Sequence, residues 1–296
     1  MSNFSWLHRA AVDHQHQDDV HAALLHLQSI LSHHEARVAQ ERRCRIYTFG
    51  RFIVIRETEV INFAQHTQRM PIDLLKTVLA FGGVNVGIQA ITDILWPDAD
   101  GDAAHAAFKV ALHRLRRLLG SHAALCVSNG TISLAEEHVW VDAWAFERWF
   151  DSFAVRGKHA ASEEAQGLNM LRMYNGAFLG AAAPSCAHHY SERLRSKFIR
   201  SVLMLGADCE QREAWREAAE IYEQGIEADA TAEDLYQRAI YCYGHLGQTG
   251  RAVDAYRRCR AVLDALLGTI PKMKTQSLYA SACNEGARVW FAADSS

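Results

Sequence analysis

The spacing of apolar residues changes several times along the chain, and each change predicts a change of backbone state. Residues 1–42 read as helical, with Leu24, Leu25, Leu27, Ile30 and Leu31 on one strip. From Cys44 the pattern turns to runs of Ile, Val, Phe and Tyr broken at Gly50 and at Glu57-Thr58-Glu59. That pattern predicts two or three short antiparallel strands. Helical spacing returns at about 71–81 and 86–96, separated by Gly82-Gly83 and closed by Pro97. A third helix is expected over 103–119, with Asp100 and Asp102 as candidate N-caps and Gly120 as its stop. The segment ALCVSNGTISLAE alternates about Asn129-Gly130, a dipeptide suited to the two positive φ angles of a type I′ hairpin turn. After VWVDAWAFERWF (139–150) the chain reads as helical to its end, with GAFLGAAAPSC (176–186) as a loop.

Placed on a helical wheel, 103–119 separates into two faces. Phe108, Leu112, Leu115 and Leu119 form a core stripe, flanked by Ala111 and Leu118. Opposite lie Val110, His113, Arg114 and Arg117, flanked by Lys109 and Arg116. Between 103 and 120 there are four Lys and Arg side chains and no carboxylate. An ordinary solvated helix face mixes both signs, because opposite charges at i,i+4 support each other. Val110 places a methyl-bearing side chain inside the basic face, the kind of contact that reads thymine methyls. With a helix pair before it and an Asn-Gly hairpin after it, this helix has the setting of a major-groove reader beside a wing.

Composition limits the alternatives. The formal net charge of −3 gives no whole-chain attraction to a polyanion, so nucleic-acid binding must come from a local patch. Seven cysteines with no CxxC pair fit reduced thiols in the cytoplasm better than disulfides or a zinc site. No apolar run is long enough to span a membrane, and the opening residues lack the order of a secretory signal. The sixteen histidines include HQHQDDVH (14–21), HHE (33–35) and His188-His189, whose spacings do not converge on one point; surface histidines are the expectation, with no metal and no cofactor. No GxxxxGK[ST], GxSxG or HExxH motif is present, so an enzyme is not expected.

The C-terminal half carries an internal repeat. Ala218 and Ala252 are 34 residues apart, as are Tyr222 and Tyr256, and 34 is the period of stacked tetratricopeptide helix pairs. Leu205-Gly206 takes the Leu-Gly place of a first repeat, and Tyr236 and Tyr243 take aromatic places of a second. Two repeats seldom stand alone, so helices at about 163–200 and 275–292 are expected to complete the stack. Trp140, Trp144 and Trp149 are expected on a short helix that packs the two halves together. Tyr236, Tyr243 and Arg257 are the candidates for partner contacts in the repeats.

FGRFIVI (49–55), ILWPDADGDAAHAAFKVALHRLRRLLG (94–120) and GTISLAEEHVWVDAWAFERW (130–149) resemble the OmpR-type winged helix of the bacterial transcriptional activator domain family, which includes the SARP-type activators. The resemblance continues through 192–268, which is similar to that family's tetratricopeptide-like domain, and covers about 44–290. It implies a four-stranded N-terminal sheet, three helices and a C-terminal hairpin, with 103–119 lying in the major groove. It further implies that Arg114 reaches bases and that His113 and Arg116 contact bases or phosphates. The wing, Ser128-Asn129-Gly130-Thr131, would approach the minor groove. Departures are Ala103, Ala104, Ala106 and Ala107 on the first turns, Ala111 in place of a frequent His, and a wing tip without Arg. Readout by few side chains shifts specificity towards DNA shape or paired half-sites.

The expected architecture is therefore mainly α with a small β part. It comprises an N-terminal helical extension (1–42), a winged helix-turn-helix domain (43–142) and an all-α tetratricopeptide-like domain (143–296). The expected function is a cytoplasmic bacterial transcription regulator that binds double-stranded promoter DNA. Lys109, His113, Arg116 and Arg117 would meet phosphates, with Arg114 and Val110 nearest the bases. Ser128, Asn129 and Thr131 complete the DNA-binding set. The helical domain would support a homodimer and contacts to RNA polymerase or another regulator, with an unidentified small effector as a further input. The alternative is an interaction or effector-sensing adaptor whose winged helix no longer binds DNA. A third expectation has 1–42 docking on the basic face and inhibiting it.

Overall fold

A computed structural model describes residues 42–61, 69–156 and 161–293. The helix expected in 1–42, and its docking on the basic face, lie outside the described residues apart from Arg42.

Strands β1 (Cys44–Tyr47), β2 (Ile53–Arg56) and β3 (Glu59–Val60) form the expected antiparallel ladder, with Ile46 opposite Val54 and Ile55 opposite Val60. The fourth strand of this sheet is not a neighbour in sequence. It is β7 (Val139–Val141), which pairs parallel to β1, giving the order β3-β2-β1-β7. All three β7 residues are buried, because the strand is covered on both faces.

Helix α1 (Arg69–Ala80) follows, then a two-residue strand β4 (Val86–Gly87) and helix α2 (Ile88–Leu95). The apolar spacing predicts helix from 86, but Val86 pairs with Ile132 and the helix starts two residues later. A nearby strand edge outweighs local preference here. Helix α3 (Gly101–Leu118) leads to the hairpin of β5 (Leu125–Ser128) and β6 (Thr131–Leu134), with β4 on its outer side. Ser128 pairs with Thr131, and Asn129 and Gly130 take φ of 49° and 73°, the type I′ signature. Leu74, Leu75, Val78, Ile91, Phe108, Leu115 and Ile132 meet in the core beneath the three helices.

Val141 runs directly into helix α4 (Asp142–Arg156), followed by α5 (Ala161–Met173), α6 (His188–Gln211), α7 (Trp215–Ala228), α8 (Glu233–His245), α9 (Thr249–Leu267) and α10 (Met273–Ala293). From α6 to α9 each helix packs on the next, α10 packs on both α8 and α9, and α5 packs on α6 and α7, so flanking helices close the stack as expected. Ala218 and Ala252, the repeat positions, are wholly buried. At Gly206 a Cβ would stand 2.3 Å from the Tyr222 ring, so this close approach of α6 and α7 requires glycine. The architecture is mainly α with a small β part: a winged helix followed by a tetratricopeptide-like helical domain.

One hydrophobic core runs through both halves. Phe49 lies against Phe146 and Tyr174, and Tyr174 stacks on Phe198 with ring centroids 4.1 Å apart. Trp140, Trp144 and Trp149 are all buried, but Trp140 belongs to β7 rather than to the helix that carries the other two. Trp144 Nε1 donates to the Gly82 carbonyl at 3.0 Å. Asp142 is wholly buried at the joint and accepts from Thr48 N, Thr48 Oγ1, Phe49 N and Ala143 N. Burial pushes its carboxyl up to about 6, while these donors pull it back down. The 176–186 segment, expected as a plain loop, holds two short 3-10 turns and straps onto the winged helix. Leu179 N donates to Thr48 O, and Gly50 N donates to Ala177 O.

Candidate nucleic-acid interface

Helix α3 is held in place by its start, its buried stripe and one arginine. Asp100 is the N-cap, its Oδ1 accepting from Ala103 N at 2.7 Å, while Asp102 sits in the first turn. Ala104, Phe108, Ala111, Leu112 and Leu115 face inward and pack on α1 and α2. Gly120, at φ 75°, lies just past the helix end, as expected of a stop residue.

Lys109, Val110, His113, Arg114 and Arg117 lie outward; Val110 is 52% exposed, whereas Phe108 and Leu115 are 2% and 0% exposed. Among the described residues, Lys109, Arg114 and Arg117 have no ion-pair partner. The spacing of Val110, His113, Arg114 and Arg117 makes one stripe two turns long, about 10 Å at 1.5 Å per residue. The His113 and His122 rings stand 6.1 Å apart, so His122, which sequence reasoning passed over, borders the same face. Its signal in the sequence is weak, because it sits in a 3-10 turn (His122–Ala124) beyond the helix.

Arg116 differs from its neighbours in being half-buried and engaged within the fold. Its side chain turns back and donates from Nη2 to the Leu125 carbonyl at 2.8 Å, and its Nε is covered with no partner. The guanidinium thereby ties the helix to the first strand of the hairpin. On a wheel it lies at the boundary between the two faces, where packing decides its direction.

At the wing, Ser128 and Asn129 are exposed and Thr131 is half-buried. Thr131 Oγ1 donates to Ser128 O at 2.8 Å, so this hydroxyl serves the turn. Val127, on the strand before the tip, is 43% exposed. Ala103 and Ala106 on the first two turns of α3 are exposed and Ala107 is half-buried; none brings a polar group to the surface.

The repeat candidates separate. Tyr236 is 2% exposed, so its ring fills the helical core and is closed to a partner. Tyr243 also has a buried ring, but its hydroxyl donates to Glu223 Oε1 and reaches a surface groove. Arg257 is exposed and lines that groove. His188 and His189 are exposed at the start of α6, and no group of three or more His, Cys, Asp or Glu among the described residues could hold a metal ion. The histidine clusters at 14–21 and 33–35 lie outside the described residues. No described helix is long and apolar enough to cross a membrane.

The fold and this face define a class: a winged helix presenting a cationic helix face without ion-pair partners among the described residues, fused to tetratricopeptide-like helices. Residues 141–282 match the family model of the bacterial transcriptional activator domain. This match, over just under half of the chain, supports bacterial transcription regulator as its class. Among solved structures it is similar to Mycobacterium tuberculosis EmbR in complex with low affinity phosphopeptide. The TM-score is 0.59 at 16% identity, covering 84% of this chain and 69% of that one, a likeness of fold. No curated protein sequence matches the chain.

Proposed function

We propose that the chain regulates transcription by binding promoter DNA, with α3 in the major groove. The observation that carries this reading is the outward stripe of Lys109, His113, Arg114 and Arg117, without ion-pair partners among the described residues and opposite a buried stripe. Lys109, His113 and Arg117 meet phosphates, Arg114 and Val110 lie nearest the base edges, and Ser128, Asn129 and Thr131 form a wing beside the minor groove. Few side chains read bases, so DNA shape and paired half-sites carry much of the specificity. The chain divides functionally into 1–42, the DNA-binding 43–142 and a helical 143–296. The last supports a homodimer and contacts to RNA polymerase or another regulator, activation being the outcome the family description favours. An unidentified small effector would supply the input.

A gel shift against genomic fragments at several salt concentrations tests the reading. Specific fragments should shift, with affinity falling steeply as salt rises. A second reading, an adaptor with a silent winged helix, draws on the exposed alanines of the first turns and on the engagement of Arg116 within the fold. It predicts no fragment shifted above background at any salt.

A further inference from the structure

Helices α7 and α9 border an open groove of about 940 Å³ on the helical domain. Its lining is polar and ordered by sign. Glu220, Glu223 and Glu227 lie at i, i+3 and i+7 on one face of α7. Across from them α9 offers Arg251, Arg257 and Arg258. Asp254 also lies on α9, one turn from Arg251 and from Arg258, and leaves that wall two charges positive.

The middle of the groove is internally satisfied. Arg258 Nη2 donates to both carboxylate oxygens of Glu223, at 2.6 and 2.8 Å, and the Tyr243 hydroxyl shares Oε1. Arg251 stands over the Tyr243 ring, 5.6 Å from its centroid. This floor fixes the two helices at a set distance. The ends of the walls are open: among the described residues Glu220 and Glu227 have no ion-pair partner, and neither has Arg257. An opening between like-charged walls would take a ligand of the other sign. Here the walls oppose each other, so a ligand must bring cations to one side and carboxylates to the other.

An extended peptide has that form, because successive side chains point to opposite sides. We propose that the groove binds an extended segment of a partner protein in which basic and acidic residues alternate. Its Lys or Arg side chains meet Glu220 and Glu227, and its Asp or Glu side chains meet Arg257 and Arg251. This assignment rests on the reading of the helical domain as the partner-binding half, but not on DNA binding.

The probes are three fluorescein-labelled octapeptides: alternating (Lys-Glu)4, its block isomer with all the lysines preceding all the glutamates, and the neutral (Gln-Ser)4. Fluorescence anisotropy with the full chain should give saturable binding of (Lys-Glu)4 below about 1 mM. The block isomer should bind at least about fivefold more weakly and the neutral peptide not at all. Glu220→Gln with Glu227→Gln should weaken (Lys-Glu)4 about fivefold, as should Arg257→Gln, all three being exposed positions where folding is not at stake. Equal binding of the two charged isomers, wild-type affinity in the variants, or no saturation by (Lys-Glu)4 overturns the proposal. Gel shifts on the same preparations separate the two failures: loss of peptide binding with DNA shift retained counts against the groove alone.

Discussion

Asp142 offers a test of how the two halves are joined. Its carboxyl is pushed up to about 6 from an ordinary value of 3.8, first by burial, against hydrogen bonds from Thr48, Phe49 and Ala143. Because the folded value lies above the unfolded one, the folded state holds more protons between about pH 4 and pH 6. The stability tied to this group is full below pH 4 and is lost as pH rises through about 6. The whole effect is about 3 kcal/mol, of which about 1.4 kcal/mol remains at pH 5 and almost none at pH 7. Asp142→Asn removes the charge. Its amide oxygen can still accept from Thr48 N and Phe49 N, and its NH2 can donate to a rotated Thr48 hydroxyl. The Ala143 N–H alone is orphaned, a cost of about 1–3 kcal/mol. Near neutral pH that cost offsets the relief of burying no charge, so Asn should lie within about 1 kcal/mol of wild type. Asp142→Ala orphans three backbone N–H groups and should lose about 3 kcal/mol or more. Urea melts at pH 5 and pH 7 should show wild type losing about 1 kcal/mol more than Asp142→Asn between the two. An Asn variant that keeps the wild-type difference would refute the assignment of this titration to the joint.

Other substitutions separate reading, gripping and positioning on α3. Arg114→Ala should cost about 1–3 kcal/mol of DNA affinity and relax preference at one base position; a variant that footprints like wild type places the reading elsewhere. Arg117→Ala should weaken all sequences evenly and flatten the log–log salt slope by about one, measured by the same titration. Arg116→Met should leave that slope unchanged while lowering the urea midpoint, since the bond to Leu125 O is worth about 1 kcal/mol; a slope change equal to that of Arg117→Ala would return Arg116 to the phosphate contacts. Gly206→Ala forces a methyl into the Tyr222 ring and should cost about 1–3 kcal/mol in a chemical melt. A loss under about 0.5 kcal/mol would mean that α6 and α7 separate freely.

Much of this fold was legible in the sequence because its signals are local. Asp100, Gly120 and Asn129-Gly130 act within a turn of where they sit, and all three do what their types imply. The core stripe of α3 follows from spacing alone. What escaped is non-local: β7 pairs with a strand almost a hundred residues earlier, and Val86 leaves a helical pattern for a strand edge. The same division runs through the face of α3. Residues at its centre point outward as the wheel requires, whereas Arg116 at the margin is directed by a carbonyl that only the folded hairpin supplies. Tyr236 and Tyr243 look alike in the repeat, and only packing separates the core ring from the one whose hydroxyl reaches the groove.

The pairing of β7 with β1 has a practical consequence for dissecting this protein. The family model begins at the last residue of that strand, which invites a cut between 141 and 142. Such a cut would leave Thr48 and Phe49 N–H groups facing an empty site and bare the rings of Phe49 and Phe146 to water. The cut separates Asp142, which stays with the helical half, from the Thr48 and Phe49 donors it serves, so transplanting that half onto a foreign reader should fail unless strand β7 and its β1 partner travelled with it.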